Sequence, residues 1–214
     1  MIESPLQAIA LLSALALLPF LVVMATSYVK LVIVLSLVRN ALGVQQIPPN
    51  IALHAIAIIL TIYIMMPIAN EVYTIISQYD ITFDNPESIK TAFGEGVKPF
   101  QAFLSKHAHE ASVNFFVETA AVLWPQDYHD MATHDSLFIL LPAFTVSELV
   151  SAFEIGFLLY LPFIAIDLII SNILLAMGMM MLSPMTISLP FKLLLFVLLD
   201  GWSRLIFGLV LSYQ

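Results

Sequence analysis

The sequence predicts an all-α membrane protein with a small polar insertion. Three observations carry that expectation. The chain is 61% hydrophobic and 10% charged, whereas soluble domains are about a quarter charged. Its apolar residues come in long runs, not in short alternating segments, which favours helices over strands. Its charge is confined: between Glu71 and Asp135 stand ten acids and three lysines, which hold -7 of the net -8. A surface of that sign excludes nucleic acid as a natural partner. There are no cysteines, so no disulfide framework and no thiolate metal site can form.

Taken in order, Pro5 to Val29 carries no charge, and a bilayer crossing needs about 20 apolar residues. A cleaved signal peptide is the competing reading, but only Glu3 precedes the run and no basic region does. Lys30 and Arg39 bracket a second apolar stretch, and Arg39-Asn40-Ala41-Leu42-Gly43 reads as a helix end. A turn follows at Gln45-Gln46-Ile47-Pro48-Pro49-Asn50. Asn50 caps the next apolar run, Ile51 to Ala69. The two cations near this turn place residues 40–50 in the cytoplasm by the positive-inside rule, and the acidic segment on the far side. Residues 1–69 thus form an N-terminal helical hairpin of two apolar segments.

Residues 70–137 are the polar domain. Asp84-Asn85-Pro86-Glu87 and Gly94-Glu95-Gly96 are turn signals. Residues 97–123 are expected to be helical up to Trp124-Pro125. His107, His109, His129 and His134 lie here. His107, His109 and Glu110 are the nearest approach to a metal site, but the one-residue spacing suits neither a helix face nor a His-Glu-x-x-His pattern. Solvated loop histidines are the expectation, with no metal and no cofactor.

From residue 138 to 214 the chain is apolar again and reads as one or more helical hairpins around a Met-rich loop at 177–184. Glu148, Glu154, Asp167, Lys192, Asp200 and Arg204 interrupt it. Each would cost about 2.5–3.5 kcal/mol or more near the centre of a lipid-facing helix. Six in so short a stretch imply helices packed mainly against protein. Asp167 and Lys192 enclose an uncharged run of 24 residues. A hairpin folding at the loop between them sets their helices side by side, as a structural ion pair or as a proton relay. Asp200 and Arg204, four apart, can meet on one helix face. Met177, Met179, Met180 and Met181 sit around Gly178 and before Pro184. Unbranched thioethers make a soft, repackable surface, so the stretch reads either as gap-filling core or as a deformable gate.

The chain also resembles a known family. The matching blocks are Lys30-Leu31-Val32-Ile33-Val34-Leu35-Ser36-Leu37-Val38-Arg39-Asn40-Ala41-Leu42-Gly43 with Gln45-Gln46-Ile47-Pro48-Pro49-Asn50. They continue at Leu141-Pro142-Ala143-Phe144, Ser147-Glu148, Ala152-Phe153 and Ile155-Gly156-Phe157. The most specific runs from Leu161-Pro162-Phe163 and Ile166-Asp167-Leu168 through Gly178-Met179-Met180-Met181, Ser183-Pro184 and Leu189-Pro190-Phe191-Lys192 to Asp200-Gly201-Trp202. These residues resemble the SctR family of type III secretion, called YscR in injectisomes and FliP in flagella. The absence of a basic leader is similar to the injectisome, virulence-associated branch. Glu154 departs from the family pattern, where a basic or amide side chain is expected.

The resemblance implies a subunit of the inner-membrane export gate: a homopentamer assembled with SctS-like and SctT-like subunits into a helical, cone-like conduit, with SctU-like and SctV-like subunits nearby. It implies that residues 70–137 are periplasmic and that secreted polypeptides pass in transit. It also implies hairpins lifted largely out of the bilayer plane, and a gasket made by the Met stretch. Two other functions compete. A small ion- or proton-coupled transporter would use Asp167 and Lys192. An intramembrane enzyme would need a motif the chain lacks: it has no Cys, no Gly-x-Ser-x-Gly, no His-Glu-x-x-His and no phosphate-binding glycine loop.

Overall fold

A computed structural model of the chain describes residues 23–44, 46–79, 86–179 and 181–214, together with Ile9, Leu12, Ser13, Ala16, Pro19 and Phe20. The described residues are helical or in short connections, with no strand among them. The helices are α1 (Tyr28–Ala41), α2 (Asn50–Ile76), α3 (Pro86–Gly96), α4 (Lys98–His107), α5 (Glu110–Leu123), α6 (Leu137–Ala176), α7 (Pro184–Leu198) and α8 (Gly201–Leu211). A 3₁₀ turn, Gln126–Met131, follows α5. The chain divides into two compact units. One holds residues up to Val29 with Met65–Glu148; the other holds Lys30–Ile64 with Leu149–Gln214.

In the first unit, α3 to α5 are short, at 11, 10 and 14 residues. Gly96 is required where the chain passes the end of α2, because a Cβ there would lie 2.8 Å from Ile76 Cγ1. The sequence led us to expect one helical stretch over 97–123, but the structure breaks it in two. Ala108 and His109 are extended, with ψ of 134° and 133°. The Ala108 N–H closes α4 on the Leu104 carbonyl at 2.8 Å. The His109 N–H donates instead to Ser147 Oγ at 2.8 Å, and that hydroxyl donates to the Ala143 carbonyl at 2.7 Å. A side chain 38 positions away thus satisfies the backbone group that the break frees. Phe103 and Leu104 of α4 are buried, as are Ile139, Leu140, Ala143 and Phe144 of α6. The Phe103 and Phe144 rings pack tilted with centroids 5.6 Å apart. Trp124, extended before Pro125, ends α5.

The second unit is built on α1. Leu31, Val34, Leu35, Val38 and Ala41 are buried, and their spacing is the apolar stripe of a helix with one inward face. Leu53, Ala57 and Thr61 repeat every four residues along α2 and are buried. Gly156 of α6 meets α1 closely: a Cβ at that position would overlap the Leu37 side chain. Between α7 and α8 the chain bends by 60°. Asp200 takes the left-handed conformation there, φ 51°, which Asp tolerates better than most residues. This corrects one expectation. Asp200 stands before α8 instead of on its face, and no ion pair joins it to Arg204 among the described residues.

Among the described residues, two helices are long and apolar enough to cross a membrane: α2, 27 residues at mean hydropathy 2.3, and α6, 40 residues at 2.2. The bent pair α7–α8 makes a third if it is one span. At 1.5 Å per residue α6 is about 60 Å long, roughly twice the ~30 Å hydrocarbon layer. Only 22% of the apolar window of α2 and 11% of that of α6 are buried by the chain itself. Apolar surface on that scale belongs against lipid or other protein.

Candidate functional site

The site is the α6–α7 hairpin. At its tip, α6 ends in a Schellman motif: Met179 N–H donates to the Leu174 carbonyl at 2.9 Å and Gly178 N–H to the Leu175 carbonyl at 3.0 Å. Gly178 has φ +70° and open space around it, so backbone conformation, not crowding, calls for glycine there. Ser183 is extended ahead of Pro184, which occupies the first turn of α7. The short connection exposes Met177, Met179 and Leu182, Met185 just beyond it is exposed too, and Met181 is 100% exposed. Met180 lies outside the described residues.

Below the tip, the two arms are joined by charge. Lys192 Nζ donates to Asp167 Oδ2 at 2.6 Å, and Ser188 Oγ donates to Asp167 Oδ1 at 2.6 Å. Both carboxylate oxygens are therefore engaged. Lys192 Nζ also donates to the Ala41 carbonyl at 3.1 Å. That carbonyl ends α1, where the helix leaves its last C=O groups unpaired and carries partial negative charge. A buried lysine thus meets one full and one partial negative charge. The side chain of Lys192 is 4% exposed and that of Asp167 is 31% exposed. The cluster ties α6, α7 and the end of α1 at one point. Gly43, φ +76°, completes it: the chain turns there beside Leu189 and the Lys192 ammonium.

Sequence reasoning missed Ser188 and the Ala41 carbonyl. Ser188 had a signal, since it precedes Lys192 by one helical turn and shares its face. A backbone carbonyl has none. The adjacent turn is held by Arg39, whose Nη1 donates to the Pro48 carbonyl at 3.3 Å and to Asn50 Oδ1.

The histidines of the polar region do not converge. The His107 ring lies tilted against Phe103 at 4.8 Å, at the last position of α4 and not in a loop. His109 precedes α5. His129 Nε2 lies 3.0 Å from the Trp124 carbonyl and His134 Nε2 lies 3.1 Å from Asn114 Oδ1. No cluster able to hold a metal ion occurs among the described residues.

Comparison with known proteins fits this arrangement. The model of the FliP family matches residues 11–209. The chain is 59% identical to Yop proteins translocation protein R of Yersinia pestis, over 100% of this chain and 99% of that protein. It is 49% identical to virulence protein YscR of Salmonella typhimurium, over 99% and 98%. It is 44% identical to harpin secretion protein HrcR of Erwinia amylovora, over 98% and 96%. With matches that run through both units and across the hairpin, the chain belongs to the FliP family.

Proposed function

We propose that this chain is a core subunit of the inner-membrane export gate of a virulence-associated type III secretion system, forming a homopentameric ring through which unfolded proteins leave the cell. The observation that carries the reading is the exposed methionine tip held on a fixed base. Met177, Met179 and Met181 project from the short connection between α6 and α7, whose arms are joined by Asp167, Ser188 and Lys192. Repeated around an axis, one such tip per copy makes an apolar collar. A collar of this kind blocks ions by dewetting, and flexible thioethers can still wrap a passing segment. Relatives named for Yop translocation and harpin secretion support the assignment.

In this reading residues 70–137 lie on the periplasmic side, between the hairpins 1–69 and 138–214. The apolar surface of α2, α6, α7 and α8 is covered by neighbouring copies, by SctS-like and SctT-like subunits, and by lipid. SctU-like and SctV-like subunits stand beside them. The chain performs no chemical step. Against a transporter stands the Lys192 environment: its ammonium is shared between a carboxylate and the carbonyl ending α1, which suits a tie better than a relay. Native mass spectrometry of the detergent-extracted protein is the test. A ring co-purifying with small hydrophobic subunits supports the gate. A partner-free monomer or small homo-oligomer that carries ions in liposomes overturns it.

A further inference from the structure

The methionines of the chain are unevenly placed: of ten, five stand between residues 177 and 185. Met177, Met179, Met181 and Met185 of that group are exposed. A Cβ added at Gly178 would meet open space, so nothing crowds the tip from that side. The tip is therefore the chain's densest supply of accessible thioether. With no cysteine present, thioethers are also its only sulfur. Such groups react with peroxide-class oxidants to give sulfoxides.

In that reaction a sulfur lone pair attacks one oxygen of hydrogen peroxide. An S–O bond forms, the O–O bond breaks, and the departing hydroxide takes up a proton and leaves as water. Sulfur is oxidised and the peroxide reduced. A flexible apolar side chain becomes a polar one with a strong hydrogen-bond acceptor. For an isolated methionine already in water the change matters little. An apolar collar is different, because it holds ions back only while it stays dry. Each sulfoxide oxygen gives water a polar partner inside the constriction. The base of the hairpin does not share this sensitivity. Asp167, Ser188, Lys192 and the Ala41 carbonyl hold it through oxygen and nitrogen groups alone, and peroxide finds no sulfur among them. Oxidation should open the seal and leave the frame standing.

We propose that the methionine tip is a reversible oxidation site: peroxide converts Met177, Met179 and Met181 to sulfoxides, the collar wets, and the gate leaks while the ring stays assembled. Methionine sulfoxide reductases, which use a thiol reductant to return the thioether and release water, close it again. This rests on the gate reading above and adds the condition under which its seal fails.

The experiment treats membranes that hold the full set of partner subunits with hydrogen peroxide. Mass spectrometry of the 177–185 segment follows the added oxygen, ion permeability follows the seal, and native mass spectrometry follows the ring. Permeability should rise several-fold in step with tip sulfoxide, and ring recovery should not change. Adding both epimer-specific reductases with thiol should bring the leak back down. A variant carrying Met177→Leu, Met179→Leu, Met180→Leu, Met181→Leu and Met185→Leu keeps every methionine elsewhere in the chain and has no sulfur at the tip. Its permeability, compared with its own untreated value, should not respond to peroxide. Tip sulfoxide without a leak overturns the inference, and so does a tip that peroxide fails to oxidise in the assembled ring. An equal leak in the Leu variant overturns it too, and places the sensitive group elsewhere in the assembly. Loss of the ring on oxidation overturns it by putting the damage in the frame. Should the Leu variant fail to assemble, the reductases decide: a leak that persists after the tip sulfoxide is gone overturns the proposal. The gate reading is tested separately, by whether Met179→Ala, Met180→Ala and Met181→Ala together leak without any oxidant.

Discussion

On the α6–α7 hairpin, Met177 stands just past the end of α6, ten residues and about 15 Å at helical rise from Asp167, yet their surroundings share nothing. Around Asp167 every strong polar group has a named partner and the lysine is almost wholly buried. Around Met177 the side chains are exposed, and a glycine in the left-handed conformation ends the helix. The contrast matches two demands on the proposed gate. Its base must hold one geometry, which specific hydrogen bonds to charged groups enforce. Its rim must accept many, and flexible thioethers give no preferred partner. Mutations at the base should therefore act on assembly and stability, and mutations at the rim on permeability.

The largest effect is expected from Lys192→Ala. It leaves Asp167 and the Ala41 carbonyl without their cation. Breaking a buried pair costs about 3–5 kcal/mol, and the partial exposure of Asp167 places this one near the lower end. Thermal unfolding in detergent should show the loss, and ring recovery should fall with it. Exchanging the charges, Asp167→Lys with Lys192→Asp, should restore only part, because an aspartate at 192 cannot donate to the Ala41 carbonyl. Full restoration would mean that the bond to α1 contributes nothing.

Next comes Gly156→Ala. Its methyl meets Leu37, and overpacking costs about 1–3 kcal/mol. Leu37→Ala should relieve most of that in the double variant, and two additive losses would show that the helices do not touch there. Ser188→Ala removes one hydrogen bond to a carboxylate, worth about 1.5 kcal/mol. Gly178→Ala should cost about 1 kcal/mol for the left-handed backbone alone. A change of similar size in secretion without a change in melting would instead make Gly178 part of the rim's motion.

Much of the helical layout was legible because apolar runs, prolines and glycines mark it. Arg39 to Gly43 announced the end of α1, and the flanks of the uncharged run singled out two charges whose atoms the structure places 2.6 Å apart. What was not legible depends on partners remote in sequence. Nothing local at Ala108-His109 signals a break, since Ser147 supplies the compensating hydrogen bond. The Ala41 carbonyl carries no residue-type signal. Gly156 gives no hint that Leu37 faces it. Asp200 and Arg204 satisfied a spacing rule that presumes both residues are helical, and the bend before Gly201 removes one of them from the helix.

The rim is where the contrast is most exposed to test. Replacing Met179, Met180 and Met181 together with Ala should leave the melting temperature and the ring nearly unchanged, because the described members of this set are exposed. Leu replacements should seal better than Ala and pass substrate less well than Met, being branched and stiffer. The decisive measurement is membrane permeability to ions and small solutes beside secretion in the same strains. The account predicts an assembled but leaky triple Ala variant. A triple Ala variant that stays tight and secretes normally would contradict it, and would make the methionine tip ordinary surface.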